Sequence, residues 1–213
     1  LTTAAAPQAG AGPWTALPLF PLGTVLFPGG LLPLKVFEAR YLDLVSHCLR
    51  TNEPFAVVHI RQGSELRGAG SGKTLLEAVG VLAHVQEVDA EQPGILRVRC
   101  TGGLRVHLGA THQRDDGLWL AAATAGAPDP AVPLPAELQP AADALGRAIE
   151  ALDGQGHHPF LQPHALDDAG WVANRWCEIL PISGAAKQRL MALDEPVLRL
   201  QLVQDYLQGK GLL

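Results

Sequence analysis

The dominant hydrophobic period of this chain changes at Gly126, and that change decides its fold class. Over residues 17–125 apolar residues come mostly in short runs or at every second position, the pattern of strands with one face on a core. The segment GAPDPAVPLP follows at 126–135, and its prolines remove amide donors and fix φ, so neither helix nor sheet interior passes through it. Beyond it apolar residues recur every three or four positions, the period of helices packed on one face. The expected organisation is α+β: a flexible tail at 1–13, a β domain at 14–125, a Pro-rich connector at 126–135 and a small α-helical bundle at 136–213.

Within the first part, 31–36 and 55–60 read as short strands. Between them Phe37, Tyr41, Leu44, Val45, Cys48 and Leu49 share one helical face. Val79, Val81, Ala83 and Val85 alternate with Leu82 and His84. Further along, Leu96, Val98, Leu104, Val106 and Leu108 point inward, while Arg97, Arg99, Arg105 and His107 point outward. Gly102-Gly103 is the expected hairpin between those two runs, and 118–122 adds a strand. In the second part, Leu138, Leu145, Ile149 and Leu152 mark a helix closed by Asp153-Gly154, and Val172, Trp176, Ile179 and Leu180 mark one stopped by Pro181. Ser183 is placed to cap a third helix and Asp194 a fourth, with Pro196 in its first turn and Leu198, Leu202, Val203 and Tyr206 on its buried side.

With 213 residues and 47% of them hydrophobic, the chain can bury a real core. A formal net charge of -5 argues against a general nucleic-acid binder. Cys48, Cys100 and Cys177 are odd in number and widely spaced, which suggests no disulfide framework and fits a reducing cytoplasm. Apolar runs stop well short of the ~20 residues of a membrane helix, so a soluble protein with no membrane partner is expected. The first residues lack the basic and apolar regions of a signal peptide, and the only methionine is Met191.

The block LPLFPLGTVLFPGGLLPLKVFEARY at 17–41 resembles the opening of the LON substrate-binding domain, the amino-terminal module of ATP-dependent Lon proteases, which also occurs alone. Two further blocks follow in the same order. VGVLAHVQEVDAEQPGILRVRCTGGLRVHL at 79–108 is similar to the family's middle segment and ends in Gly103-Leu104-Arg105. The stretch at 171–207 is similar to its helical segment, with Leu180-Pro181, then Lys187-Gln188, then Arg199-Leu200. The resemblance implies a PUA-like, strongly bent β-pseudobarrel followed by a helical bundle, and a role in protein quality control. It also implies a module that handles polypeptide and cuts nothing, since no ATPase or peptidase module fits before Leu213.

Several motifs invite other chemistry. Gly70-Ser71-Gly72-Lys73-Thr74 looks like the end of a phosphate-binding loop, but the spacing needs Gly at Arg67, so it reads as a flexible loop. Ser71 with Lys73, or Ser183 with Lys187, lacks the base-orienting partner that a Ser-Lys nucleophile needs. His107, His112, His157, His158 and His164 sit beside no Cys or acidic cluster at ligand spacing, so no metal or cofactor is expected. Arg97, Arg99 and Arg105 form the one basic stripe, a candidate anion or RNA contact, whose plainer reading is ion pairs with Glu87, Asp89 and Glu91. In Phe37-Glu38-Ala39-Arg40-Tyr41 the aromatics read as core, while Glu38 and Arg40 point elsewhere and pair with neighbouring backbone or charges to fix the helix on the barrel.

The reading is a non-enzymatic polypeptide-binding protein with no catalytic residues. Phe27, Leu31, Trp119 and Trp171 are the expected contacts for an apolar segment. Its partners are unfolded or apolar polypeptide, with a separate ATPase or protease as a further candidate. The alternatives are RNA or another anionic ligand on the Arg stripe, or an enzyme acting on a small molecule.

Overall fold

A computed structural model describes residues 13–63 and 74–213. Its strands are β1 (Trp14–Leu22), β2 (Leu31–Val36), β3 (Phe55–Gln62), β4 (Leu75–Leu76), β5 (Val79–Gln92), β6 (Ile95–Gln113) and β7 (Trp119–Ala125). Helix α1 (Ala39–Thr51) lies between β2 and β3. After β7 come α2 (Gln139–Asp153), α3 (Ala169–Ile179), α4 (Gly184–Met191) and α5 (Pro196–Gly209). The fold is α+β, as the change of period requires. Among the described residues no helix is long and apolar enough to cross a membrane.

Strand order β1-β7-β6-β5-β3 closes on itself because β1 also pairs with β3, in parallel, from Leu19 beside Ala56 to Leu22 beside His59. Closure satisfies edges that would otherwise stay open. Strand β2 lies off this ring, antiparallel to the first half of β6, and β4 adds to β3. Leu17, Leu19, Ala56, Val58, Leu82, Val106, Ala121 and Ala123 form a buried cluster drawn from every ring strand and from no helix. Strands alone cover these side chains, so the cluster fills the ring, and its small residues suit five strands.

The ring's outer face carries a second and larger core. Phe20, Phe55 and Val81 meet Tyr41, Leu44 and Val45 of α1, and the same cluster runs on into Leu145, Val172, Trp176, Leu200 and Leu207. The helices therefore share one core with the sheet. Helix ends follow local chemistry: Asp168 accepts the Trp171 amide at 2.6 Å, and Ser183 accepts the Ala186 amide at 3.2 Å.

Several sequence expectations are corrected. Strand β6 runs unbroken through Gly102-Gly103, and the turn between β5 and β6 is at Pro93-Gly94, with Gly94 at φ +79°. The two glycines serve close approach instead: a Cβ on Gly102 would lie 2.2 Å from the Phe27 carbonyl oxygen, and one on Gly103 2.8 Å from His84 Nε2. Between the pairs Val81–Arg105 and Ala83–Gly102, β6 holds one residue more than β5. That bulge reverses the alternation, so Val98 and Arg105 face the same outer core although their parity differs.

Helix α5 is rotated from its expected face. Leu198 and Leu202 are 48% and 45% exposed, while Pro196, Arg199, Leu200, Val203 and Leu207 are buried. Its N-cap is Glu195 rather than Asp194. Phe37 and Leu49 are exposed as well, because α1 starts only at Ala39 and turns Arg40, Tyr41, Leu44, Val45 and Cys48 inward. Arg40 donates to the Gly117 carbonyl at 2.8 Å and pairs with Glu38 at 2.8 Å, which ties α1 to the ring as expected.

Candidate functional site

The connector at 126–135 is built into the protein. Pro133 bridges Asp168 in antiparallel fashion, the Leu134 amide donates to the Asp167 carbonyl at 2.8 Å, and the Ala169 amide donates to the Val132 carbonyl at 2.9 Å. Asp168 joins both sides: one carboxylate oxygen caps α3 and the other accepts the Val132 amide at 2.9 Å. Between this connector, the 165–168 turn, the start of α3 and Pro28 lies a groove of about 990 Å³. Pro28, Val132, Leu134, Leu166 and Trp171 give it apolar walls.

At one end of the groove stands Asp129, whose carboxylate organises the junction between sheet and helices. It accepts two bonds from Arg105 of β6, one from Arg199 of α5 at 3.2 Å and one from Asn174 of α3 at 3.3 Å. Arg105 also donates to the Met191 carbonyl at 2.5 Å, and Arg199 to the carbonyls of Leu190, at 3.0 Å, and Leu193. Burial alone would raise the Asp129 pKa, but Arg105 and Arg199 outweigh it and hold the carboxyl below its usual range. Both guanidiniums are almost wholly enclosed, at 3% and 0% exposure. A fixed charge triad thus pins three elements to one acid.

Arg175 forms a second anchor. Arg175, 1% exposed, donates to the Gly29 carbonyl at 2.5 Å, to the Pro28 carbonyl at 2.8 Å and to Glu178 at 2.8 Å. Its guanidinium also lies 5.8 Å from the ring centres of both Phe160 and Trp171. The Pro28 lip and the Trp171 lip are therefore held by one side chain. This clasp demands glycine twice: Gly29 has φ +70°, and a Cβ on Gly30 would fall 2.2 Å from Glu178 Oε1. Burial pushes the Glu178 carboxyl up to about 7 against the pull of Arg175 and Lys187.

The expected contact residues are dispersed. Trp171 is half-buried and lines the groove, packed edge-on to Phe160 with ring centres 6.1 Å apart. Trp119 is half-buried against the ring's inner cluster, and Leu31 is half-buried opposite Thr101 in β2. Phe27 is fully buried in the outer core, so its expected ligand contact is corrected. The loop that carries it folds back on β6, where Gly29 and Gly102 bond through the Gly29 amide at 2.9 Å.

The basic stripe is divided in the same way. The bulge in β6 puts Arg105 against the helices, where it is buried on Asp129, so its expected role as a surface anion contact is corrected. Arg97 and Arg99 stay on an exposed face, in register with Asp89 and Glu87, and Arg99 pairs with Glu87 at 3.1 Å.

Other candidates are committed elsewhere. Ser183 caps α4 while the Lys187 ammonium donates to the Glu178 carbonyl at 2.8 Å, so the two do not form a nucleophile and base. Residues 70–73 lie outside the described residues. Among the described residues no group of three His, Cys, Asp or Glu is placed to hold a metal ion. Cys48, Cys100 and Cys177 are free and buried, and burial pushes their thiols up to about 11, 12 and 12.

Asp129, Asn174, Arg175 and Glu178 escaped the sequence reading, and Arg199 entered it only through the Arg199-Leu200 resemblance, without a site role. The available signal was charge inside apolar helical runs, with Arg175 beside Trp176 and Arg199 beside Leu200.

Comparison with known proteins gives this arrangement its family. The family described as the ATP-dependent protease La (LON) substrate-binding domain matches residues 16–209. A solved structure titled as a Lon N-terminal domain protein from Xanthomonas campestris is 33% identical, with a TM-score of 0.72, covering 91% of this chain and 99% of that one. The N-terminal domain of a Mycobacterium avium complex Lon protease shares the fold at 14% identity and a TM-score of 0.62, over 90% of this chain and 97% of that one. No curated protein gives a significant match. On a family match that spans nearly all of its elements, the chain belongs to the LON substrate-binding domain family.

Proposed function

We propose that this protein binds unfolded polypeptide in the groove between the connector and α3, and performs no chemistry on it. The observation that carries the reading is a groove with apolar walls, whose lining residues Pro28, Trp171 and Asp129 are held by buried arginines, in a substrate-binding family. Anchors of this kind keep the walls in place before a ligand arrives, which lowers the ordering cost of binding.

Apolar burial yields roughly 25 cal/mol per Å², so covering the groove's apolar walls gives about 4 kcal/mol before ordering costs. Weak binding that tolerates many sequences follows. A client-holding role beside a separate ATPase or protease fits such affinity, because clients must be released. Three buried, free cysteines support placement in a reducing cytoplasm.

Hydrogen exchange with a permanently unfolded client tests the site. Amides of 130–134 and 166–172 should gain protection on client addition. Protection confined to β5 and β6, or none anywhere, would overturn the assignment.

A further inference from the structure

The groove's donors and acceptors are unequal. Its charged lining residues are Asp129, Asp167 and Asp168, and no Lys, Arg or His lines it among the described residues. Proline at 28, 130 and 133 removes three backbone donors from the same walls, although the Pro28 carbonyl already accepts from Arg175. The side-chain amides of Gln139 and Asn174, also in the lining, donate to Asp143 and Asp129, so a ligand that brings donors of its own is favoured.

The three acids differ in what they offer. Asp129 is offset from behind by the buried Arg105 and Arg199. Asp168 is bonded by two neutral amides, at the positive end of α3. Asp167 is exposed, its carbonyl takes the Leu134 amide, and no ion pair among the described residues engages its carboxylate. The negative charge that faces a ligand therefore rests chiefly on Asp167.

We infer that the groove selects polypeptide segments in which an apolar side chain is flanked by Lys or Arg, the apolar group lying on Trp171 and the cation beside Asp167. This rests on the polypeptide-binding reading and adds to it a preference among clients. The cation supplies both the missing charge and the missing donors. An acidic segment meets repulsion at Asp167. Neutral apolar segments bind with an intermediate affinity.

Three synthetic peptides of equal length carrying one apolar core, flanked by Lys, by Gln or by Glu, test the preference by fluorescence anisotropy at low salt. An exposed charge pair contributes a factor of about three, so wild type should bind the Lys peptide about threefold tighter than the Gln peptide and about tenfold tighter than the Glu peptide. Asp167→Lys should reverse the order, and Asp167→Asn should level it. The exposed side chain makes both variants fold-neutral, which circular dichroism checks. Equal binding of all three peptides, or an order unchanged by Asp167→Lys, overturns the preference and leaves polypeptide binding standing. Absence of binding by every peptide overturns both.

Discussion

Replacing Asp129 with Ala should cost more than any other single surface-accessible change in this protein. The carboxylate is only 18% exposed and is the counter-ion of two guanidiniums at 3% and 0% exposure. Its removal leaves Arg105 and Arg199 buried, alike in charge and facing each other. Burial and the Arg105 charge already hold the Arg199 pKa down, and losing Asp129 removes the opposing pull. Stranding buried charge in this way costs about 3–5 kcal/mol, against a total stability of about 5–15 kcal/mol. For a chain of this size that lowers Tm by about 10 °C.

Urea unfolding followed by tryptophan fluorescence measures the loss. Asp129→Asn, which keeps an acceptor without the charge, should fall between wild type and Ala. In Arg105→Met, removal of one of the two like charges should make the Ala substitution less costly. Acid adds an independent sign. The Asp129 pKa is lowered in the folded state, so its contribution is complete above the unfolded value of about 3.8 and is lost as pH falls through the folded value. Wild type should weaken there and Asp129→Ala should not. A loss under about 1 kcal/mol with wild-type acid behaviour would refute the triad as the junction's anchor.

Glu178 should act with the opposite sign: its carboxyl is raised from 4.5 to about 7, so its contribution is greatest below the lower value and is lost as pH climbs to the higher. Glu178→Gln should flatten that slope in unfolding measured between pH 4 and 8. Gly30→Ala should cost about 1–3 kcal/mol and expose the Trp171 lip to quencher, since its Cβ would collide with Glu178 Oε1. Because one core runs from ring to helices, residues 14–125 alone should unfold at markedly lower urea than the whole chain, and equal midpoints would contradict a shared core.

Much of the fold was legible because its signals are local. Ser183 as a cap and Asp153-Gly154 as an end each depend on a few neighbouring residues. The errors arose where the determinant is distant. A bulge is a mismatch between two strands, so β6 alone cannot reveal that Arg105 changes face. The face of α5 is set by Arg199 reaching Asp129, seventy residues earlier, so counting apolar positions favoured Leu198 and Leu202. The groove was least legible, since its prolines mark a linker by composition and become a wall only through the bridge from Pro133 to Asp168.

Titration of a labelled, permanently unfolded protein at ~0.5 M salt, against wild type, Trp171→Ala and Trp119→Ala, tests polypeptide binding most directly. At that ionic strength the Debye length is only a few Å, so the part due to Asp167 is screened and the apolar part remains. Binding should persist in wild type, fall about tenfold in Trp171→Ala, and stay unchanged in Trp119→Ala, whose ring packs on the inner cluster away from the groove. Complete loss in wild type on adding salt, with no effect of Trp171→Ala, would contradict the account.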